Sequence, residues 1–167
     1  VYRDMGDAPQ ALEWFDKAIT YGEKGTNKTQ LAKIHGQKAD LFIKQRLFED
    51  ALVEVEKMES ISRSLDEKSL QVNAMSIKST IEYCMGDYQE SVNTYKEASS
   101  ILCNSLHDTV RAARIAASSI ASYMRMERYR DAEELFDFYE RHSGLFDDEG
   151  DILAGYESFY LDKGDYY

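Results

Sequence analysis

Apolar and small residues return along this chain at helical intervals, in pairs of stripes. Leu70, Ala74, Ile77, Ile81 and Cys84 follow one another at spacings of 4, 3, 4 and 3, which places them on one face of a helix. Gly86-Asp87 breaks the pattern. A second stripe begins at once, with Tyr88, Ser91, Val92, Tyr95 and Ala98 on one face of a helix predicted over about 88–102. A link this short forces the two helices to lie antiparallel.

The pair recurs. A small residue with apolar residues after it stands at Ala11, Ala51, Ser91 and Ala132, at intervals of 40, 40 and 41 residues, with an aromatic three positions before the last three and Ala8 in that place before Ala11. Ala11 leads to Phe15 and Ala18, Ala51 to Val55 and Met58, and Ala132 to Phe136 and Tyr139. Gly6-Asp7-Ala8 and Gly164-Asp165-Tyr166 look like further copies of the turn. A fixed period of this length means stacked supersecondary units rather than one globular core. The small residue lets the two helices approach closely, and the aromatic before it plugs the turn. The predicted architecture is all-α, an α-solenoid of antiparallel helix pairs. It forms a single array over 1–167, with units at about 26–65, 66–105 and 106–146 and partial units at 1–25 and 147–167. Because both ends cut through a repeat, the chain reads as a fragment of a longer protein.

First helices are expected at about 28–44, 67–85, 107–125 and 148–163, joined by short polar linkers such as 21–26 and 60–64. Capping signals agree with this division. Asn27 with Gln30, and Ser64 with Glu67, have capping-box spacing. Asp147-Asp148-Glu149 puts acid at a helix start, and Pro9 falls in a first turn where its missing N–H costs little. Lys38 and Lys78 interrupt the apolar stripes of their helices.

Composition narrows the function. Lysine and arginine number 20 against 31 aspartates and glutamates, a net charge of −11. Such a surface repels nucleic-acid phosphates and anionic membranes and keeps the chain in solution. No apolar run approaches the length of a membrane span, and no signal-peptide pattern follows Val1. Cys84 lies beside the turn and Cys103 far along the following helix; roughly 15 residues of helix separate them by about 22 Å, too far for a disulfide. Two free thiols fit a reducing compartment. A cytoplasmic location is therefore favoured, with a periplasmic one open because the start of the protein is missing.

The run Gly86, Asp87, Tyr88, Ser91, Tyr95 and Ala98 resembles the signature of the tetratricopeptide repeat family: a helix pair with Gly-Asp-Tyr at the turn, then a small residue, an aromatic and an alanine. The resemblance spans the chain. Two features depart from it. The usual spacing of 34 is lengthened to about 40, as in longer-repeat variants in bacterial regulators and some eukaryotic scaffolds, and the closing proline is absent. The resemblance implies a right-handed superhelix whose concave groove, lined by first helices, binds peptides or partner helices. Carried over position by position, the groove residues are Lys33, Gly36, Asp40, Ile43 and Lys44; then Asn73, Ser76, Thr80, Tyr83 and Cys84; then Arg114, Ala117, Ala121, Met124 and Arg125. Members that bind chaperone tails hold a terminal carboxylate with Lys and Asn at two of these positions. Here those positions are Gly36 and Asp40, and Ser76 and Thr80, so the clamp is not carried over.

Catalytic chemistry finds little support. There is no nucleotide loop, nucleophile elbow or zinc pattern. His35, His107 and His142 fall in different units, and His35 reads as a packed core histidine rather than a metal ligand. Asp147, Asp148, Glu149 and Asp151 lack the alternation and terminal glutamate of a calcium loop. Asn27-Lys28-Thr29 is a glycosylation sequon that a helix cap already explains. Ten of the aromatics lie from Tyr129 onward, among them Tyr156, Phe159, Tyr160, Tyr166 and Tyr167, and are expected to pack repeat on repeat, leaving an apolar face near Tyr160. The leading expectation is a non-catalytic scaffold for a protein or peptide, with no cofactor and no metal. Lys33, Lys44, Arg114 and Arg125 would engage ligand carboxylates or carbonyls. The alternative is a peptide-sensing segment of a bacterial signalling or transcription-regulatory protein. Truncated repeat ends also allow self-association.

Overall fold

The computed structural model describes residues 8–143. The helix expected at 148–163, the acidic run from Asp147 to Asp151, the turn at Gly6-Asp7 and the aromatics from Tyr156 onward lie outside the described residues, as do the side chains of Ala117, Phe136, Tyr139 and His142. The described chain is helical, with no strand among its residues. Its helices are α1 (Ala8–Lys24), α2 (Lys28–Lys44), α3 (Phe48–Ser64), α4 (Lys68–Met85), α5 (Tyr88–Ile101), α6 (Thr109–Ser118), α7 (Ile120–Arg125) and α8 (Tyr129–Ser143). A π-helical stretch, Leu102–Leu106, continues α5. Only Ser119, which keeps right-handed helical dihedrals, separates α6 from α7. Its carbonyl still accepts from the Tyr123 N–H at 3.1 Å, so the two halves carry on one direction.

One turn joins nearly all of these helices. A single residue with positive φ stands at Arg46 (61°), Asp66 (51°), Gly86 (93°), His107 (52°) and Glu127 (57°). After α2, α3, α4 and α7 the hydrogen bonds are the same. The residue following the left-handed one donates five residues back: Leu47 to Phe42, Glu67 to Ser62, Asp87 to Glu82 and Arg128 to Tyr123. This double-bonded closure satisfies the last carbonyls of each helix. The next helix then starts at once, so the links are shorter than the polar stretches 21–26 and 60–64, which are mostly helix. The Ser64–Glu67 capping box does not form. Ser64 ends α3 with its hydroxyl donating to the Ile61 carbonyl at 2.7 Å, while Glu67 accepts from Thr29 at 2.9 Å. The left-handed residue at Asp66 draws the turn too tight for that box. Asn27 does cap α2, its side chain accepting from the Gln30 N–H at 2.9 Å.

The left-handed residues are 20 apart except from Gly86 to His107, which is 21. The extra residue is the one that lengthens the third repeat from 40 to 41. It is absorbed where α5 widens into a π turn, and there the closing bond runs six residues back, from Asp108 to Leu102. An inserted residue that would otherwise rotate the rest of the chain by about 100° is taken up in one turn.

Apolar side chains gather in three clusters in chain order. The first is shared by α2, α3 and α4, around Ala32, Val55, Met58, Leu70 and Ile81. The second joins α4, α5 and α6 around Val72, Tyr95, Leu102 and Ile115. The third joins α5, α7 and α8 around Val92, Ile120, Tyr123 and Ala132. Ala51, Ser91 and Ala132 are fully buried, as their small size requires where helices touch. The predicted α4 stripe ends one turn early, because Cys84 is exposed. Tyr129 is also exposed at its turn, while Phe48 and Tyr88 are half-buried. Ser91 fills the small position with a hydroxyl, and that hydroxyl organises its surroundings. Ser79 donates to the Ser91 carbonyl at 2.7 Å, Ser91 donates to the Ser79 carbonyl at 3.0 Å, and Ser122 reaches the Ser91 hydroxyl at 3.1 Å. Three buried hydroxyls thus tie α4, α5 and α7 together.

Among the described residues Gly86 is the only glycine with positive φ, and nothing lies within 4 Å of a Cβ built there. Gly86→Ala should therefore lose about 1 kcal/mol through backbone strain alone, and Glu127→Gly should gain about 0.5 kcal/mol. Urea unfolding midpoints measure both, and an unchanged Gly86→Ala protein would contradict the turn. Deleting Asn104 from the π turn should leave a folded chain with regular helix through Leu106. Deleting Asn93 from the middle of α5 should abolish cooperative unfolding, and circular dichroism during denaturation distinguishes the two.

Candidate functional site

The first helices α2, α4 and α6–α7 each present a row of polar side chains, and the residues expected to line a groove fall along these rows. Lys33, Asp40 and Lys44 are exposed on α2. On α4, Asn73 and Thr80 are exposed, and Ser76 and Tyr83 are half-buried. Arg114 and Arg125 are exposed on α6 and α7. Spacings of 3 and 4 residues on α4, 7 and 4 on α2, and 11 from Arg114 to Arg125 are near whole numbers of helical turns and put each set on one side. Ser76 and Thr80 bond back to their own helix, donating to the Val72 and Ser76 carbonyls at 3.0 Å each. Their hydroxyl hydrogens are engaged, and their oxygens remain acceptors.

The rows are connected. Arg111 at the start of α6 reaches α4, its guanidinium donating to Ser69 Oγ at 3.2 Å and to Asn73 Oδ1 at 2.5 Å. One end of the same face is closed by Arg125, whose Nε donates to the Tyr83 hydroxyl at 3.4 Å. The Tyr83 ring packs against Tyr88 with centroids 5.5 Å apart. Thr29 at the start of α2 bonds Glu67 just ahead of α4, and α2 also packs directly on α4. Arg111 was not among the expected residues, since it precedes the first position that the repeat pattern assigns to the groove. Its place one turn before Arg114, in a helix with no acidic residue, was the available signal.

Gly36 does not line this face. It is buried, and a Cβ on it would stand 2.8 Å from Met58 Sδ and 3.4 Å from Ile77 Cδ1. Gly36 is where α3 and α4 close on α2, a contact between units that the repeat pattern alone does not reveal. Ile43 and Met124 are half-buried against the cores. Cys84 lies exposed beside Tyr83, and Cys103 is half-buried; both are free thiols.

Beneath α2 lies a charged cluster. His35 and Glu54 are each only 4% exposed, with Nδ1 of His35 at 2.6 Å from Oε2 of Glu54. The other carboxylate oxygen faces Lys57 at 3.0 Å and Lys38 at 3.4 Å, and Lys38 reaches on to Asp16 on α1 at 2.8 Å. Burial pushes the Glu54 carboxyl up, but hydrogen bonds from His35 and Lys57 and the charges of Lys38 and Lys57 outweigh it and hold the group below the ordinary 4.5. Glu54 is therefore ionised, and His35 must donate its Nδ1 hydrogen to it. Burial pulls Lys38 down, yet the carboxylates of Asp16 and Glu54 carry it above its ordinary 10.5. The lysine that interrupts the α2 stripe is thus the bridge between α1, α2 and α3. Among the described residues no group of histidine, cysteine and carboxylates is arranged to hold a metal ion, and no helix is long and apolar enough to cross a membrane.

A scan against protein-family models finds no match to the chain, and a search of curated proteins finds no relative.

Replacing Glu54 with leucine leaves His35 and Lys38 facing an apolar wall and should lower stability by about 3 kcal/mol, while His35→Leu combined with Glu54→Leu should recover most of that loss. The sign of the pH dependence follows from the depressed Glu54 value. Its contribution is complete above about pH 4.5 and is lost as pH falls through the lower folded-state value. Urea unfolding at pH 7 and pH 3.5 should show a larger acid loss in the native protein than in the double variant. Equal losses would sink this account of the cluster.

Proposed function

We propose that this chain is a non-catalytic binding scaffold of the tetratricopeptide-repeat kind. In this reading the helices form a right-handed solenoid of antiparallel pairs. The pairs are α2 with α3, α4 with α5, and α6–α7 with α8, and α1 is the second helix of a preceding unit. The rows on α2, α4 and α6–α7 line the concave side and take a protein or peptide. The observation that carries the reading is the way first helices join one another: α2 packs on α4, and Arg111 and Arg125 bridge from α6 and α7 to α4. A stack that is tied along one set of helices curves toward that set. The serial apolar clusters, each shared by sequence neighbours, support the same arrangement. The acid–base pair His35–Glu54 is closed off from solvent, which suits a structural role better than a chemical one.

A preformed groove binds with little ordering of its own. Peptides selected from a displayed random library on the immobilised protein should therefore lose about tenfold or more in affinity to Thr80→Trp, which fills the middle row, and none to Glu56→Trp on α3. Equal binding to the Thr80→Trp protein would move the site off the first-helix face.

A further inference from the structure

Charge in this chain is sorted by helix type. The first helices α2, α4, α6 and α7 hold nine basic residues and two acidic ones, Asp40 and Glu82, a net of +7. The second helices α1, α3, α5 and α8 hold seven basic and fifteen acidic residues, a net of −8. Since the whole chain carries −11, everything outside the first helices sums to −18. No acidic residue occurs anywhere in α6 or α7. The two acids of the first helices each offset one cation: Asp40 stands one turn from Lys44, and Glu82 lies 3.9 Å from Lys78 while accepting from Thr94 of α5 at 2.8 Å.

Lys33, Lys44 and Arg111 make no ion pair with any described residue. Arg111 is held by two neutral acceptors, Ser69 and Asn73, which fix its plane and leave its charge uncompensated. A guanidinium oriented in this way is prepared for an oxyanion, with donors left over once Ser69 and Asn73 are satisfied.

We propose that the first-helix face selects an acidic peptide segment of a partner protein, with Arg111 and Asn73 at the centre of the contact and Lys33 and Lys44 extending it over α2. The proposal rests on the scaffold reading above and names the ligand chemistry of that same face. A short acidic segment can lie along a basic face and end there. A long polyanion such as nucleic acid would run out over the acidic helices α1, α3, α5 and α8, which sum to −8, so peptide is the better match. The whole-chain charge of −11, which by itself points to basic partners, is an average over two surfaces of opposite sign.

Fluorescence anisotropy with three labelled peptides tests this: alternating glutamate and leucine, glutamine and leucine, and lysine and leucine, with an oligothymidylate as a fourth probe. The glutamate peptide should bind at least about tenfold more tightly than the others and weaken as salt rises from about 0.05 M to about 0.5 M. Arg111→Glu with Arg114→Glu should reduce that binding by about tenfold or more, and Arg111→Gln with Arg114→Gln by less. Lys24→Glu with Arg130→Glu makes the same charge change on α1 and α8 and should leave affinity within about twofold. No binding of the glutamate peptide, equal binding of the glutamine peptide, or tighter binding of the oligothymidylate would overturn the proposal. If the glutamine or lysine peptide is captured and then lost in Thr80→Trp, the groove stands and only its acidic preference falls. If the glutamate peptide is lost on changing Lys24 and Arg130 but not Arg111 and Arg114, the scaffold reading fails with it.

Discussion

A left-handed residue about every twenty positions is the constraint on which the rest of this structure depends. Each one stops a helix, reverses the chain in two or three residues and lets the next helix begin against the last. With helices of seventeen or eighteen residues between such turns, consecutive helices lie side by side, and only residues of small volume fit where they touch. The buried positions at Ala51, Ser91 and Ala132 follow from that geometry. So does the π turn at Leu102–Leu106. One additional residue between Gly86 and His107 has to be taken up before the next turn, or every apolar stripe beyond it would face the wrong way.

The buried polar groups are a second consequence of close packing. His35, Glu54 and Lys38 on one side, and Ser79, Ser91 and Ser122 on the other, sit where apolar residues would also fit. Among the described residues none of their buried atoms lacks a partner. Fully satisfied networks of this kind add little net stability over an apolar core, but they tolerate only one alignment of the helices that share them. Among helices whose contacts are otherwise made by small and similar residues, they identify which helix belongs beside which.

The same division of helices into two kinds carries over to the surface. The helices α2, α4, α6 and α7 are basic in sum, and α1, α3, α5 and α8 are acidic in sum. Packing alone does not require this. Buried stripes are set by alanines, valines and leucines, and the exposed positions on either set could hold any charge. Charge sorted in this way gives a local field opposite in sign to that of the whole molecule.

The helices and the position of nearly every turn were legible in the residues, because periodicity of 3.6 and turn geometry are local properties. The α5 stripe of Ser91, Val92, Tyr95 and Ala98 is buried as its spacing implies, and the extra residue of the third repeat was visible as an interval of 41. Other features depend on where one unit lies against the next. Gly36 reads as a groove position, yet it is the point at which Met58 and Ile77 close on α2. Lys38 reads as an interruption, yet it bridges Asp16 and Glu54. Arg111 has no place in the repeat pattern, yet it joins α6 to α4 across 38 residues of sequence. By itself the sequence determined the rods and the bends between them, since each is settled within a few residues. Only the tertiary structure decided which side chains meet across units, since the register between separate helices is set by how their buried faces interlock and not by any spacing along the chain.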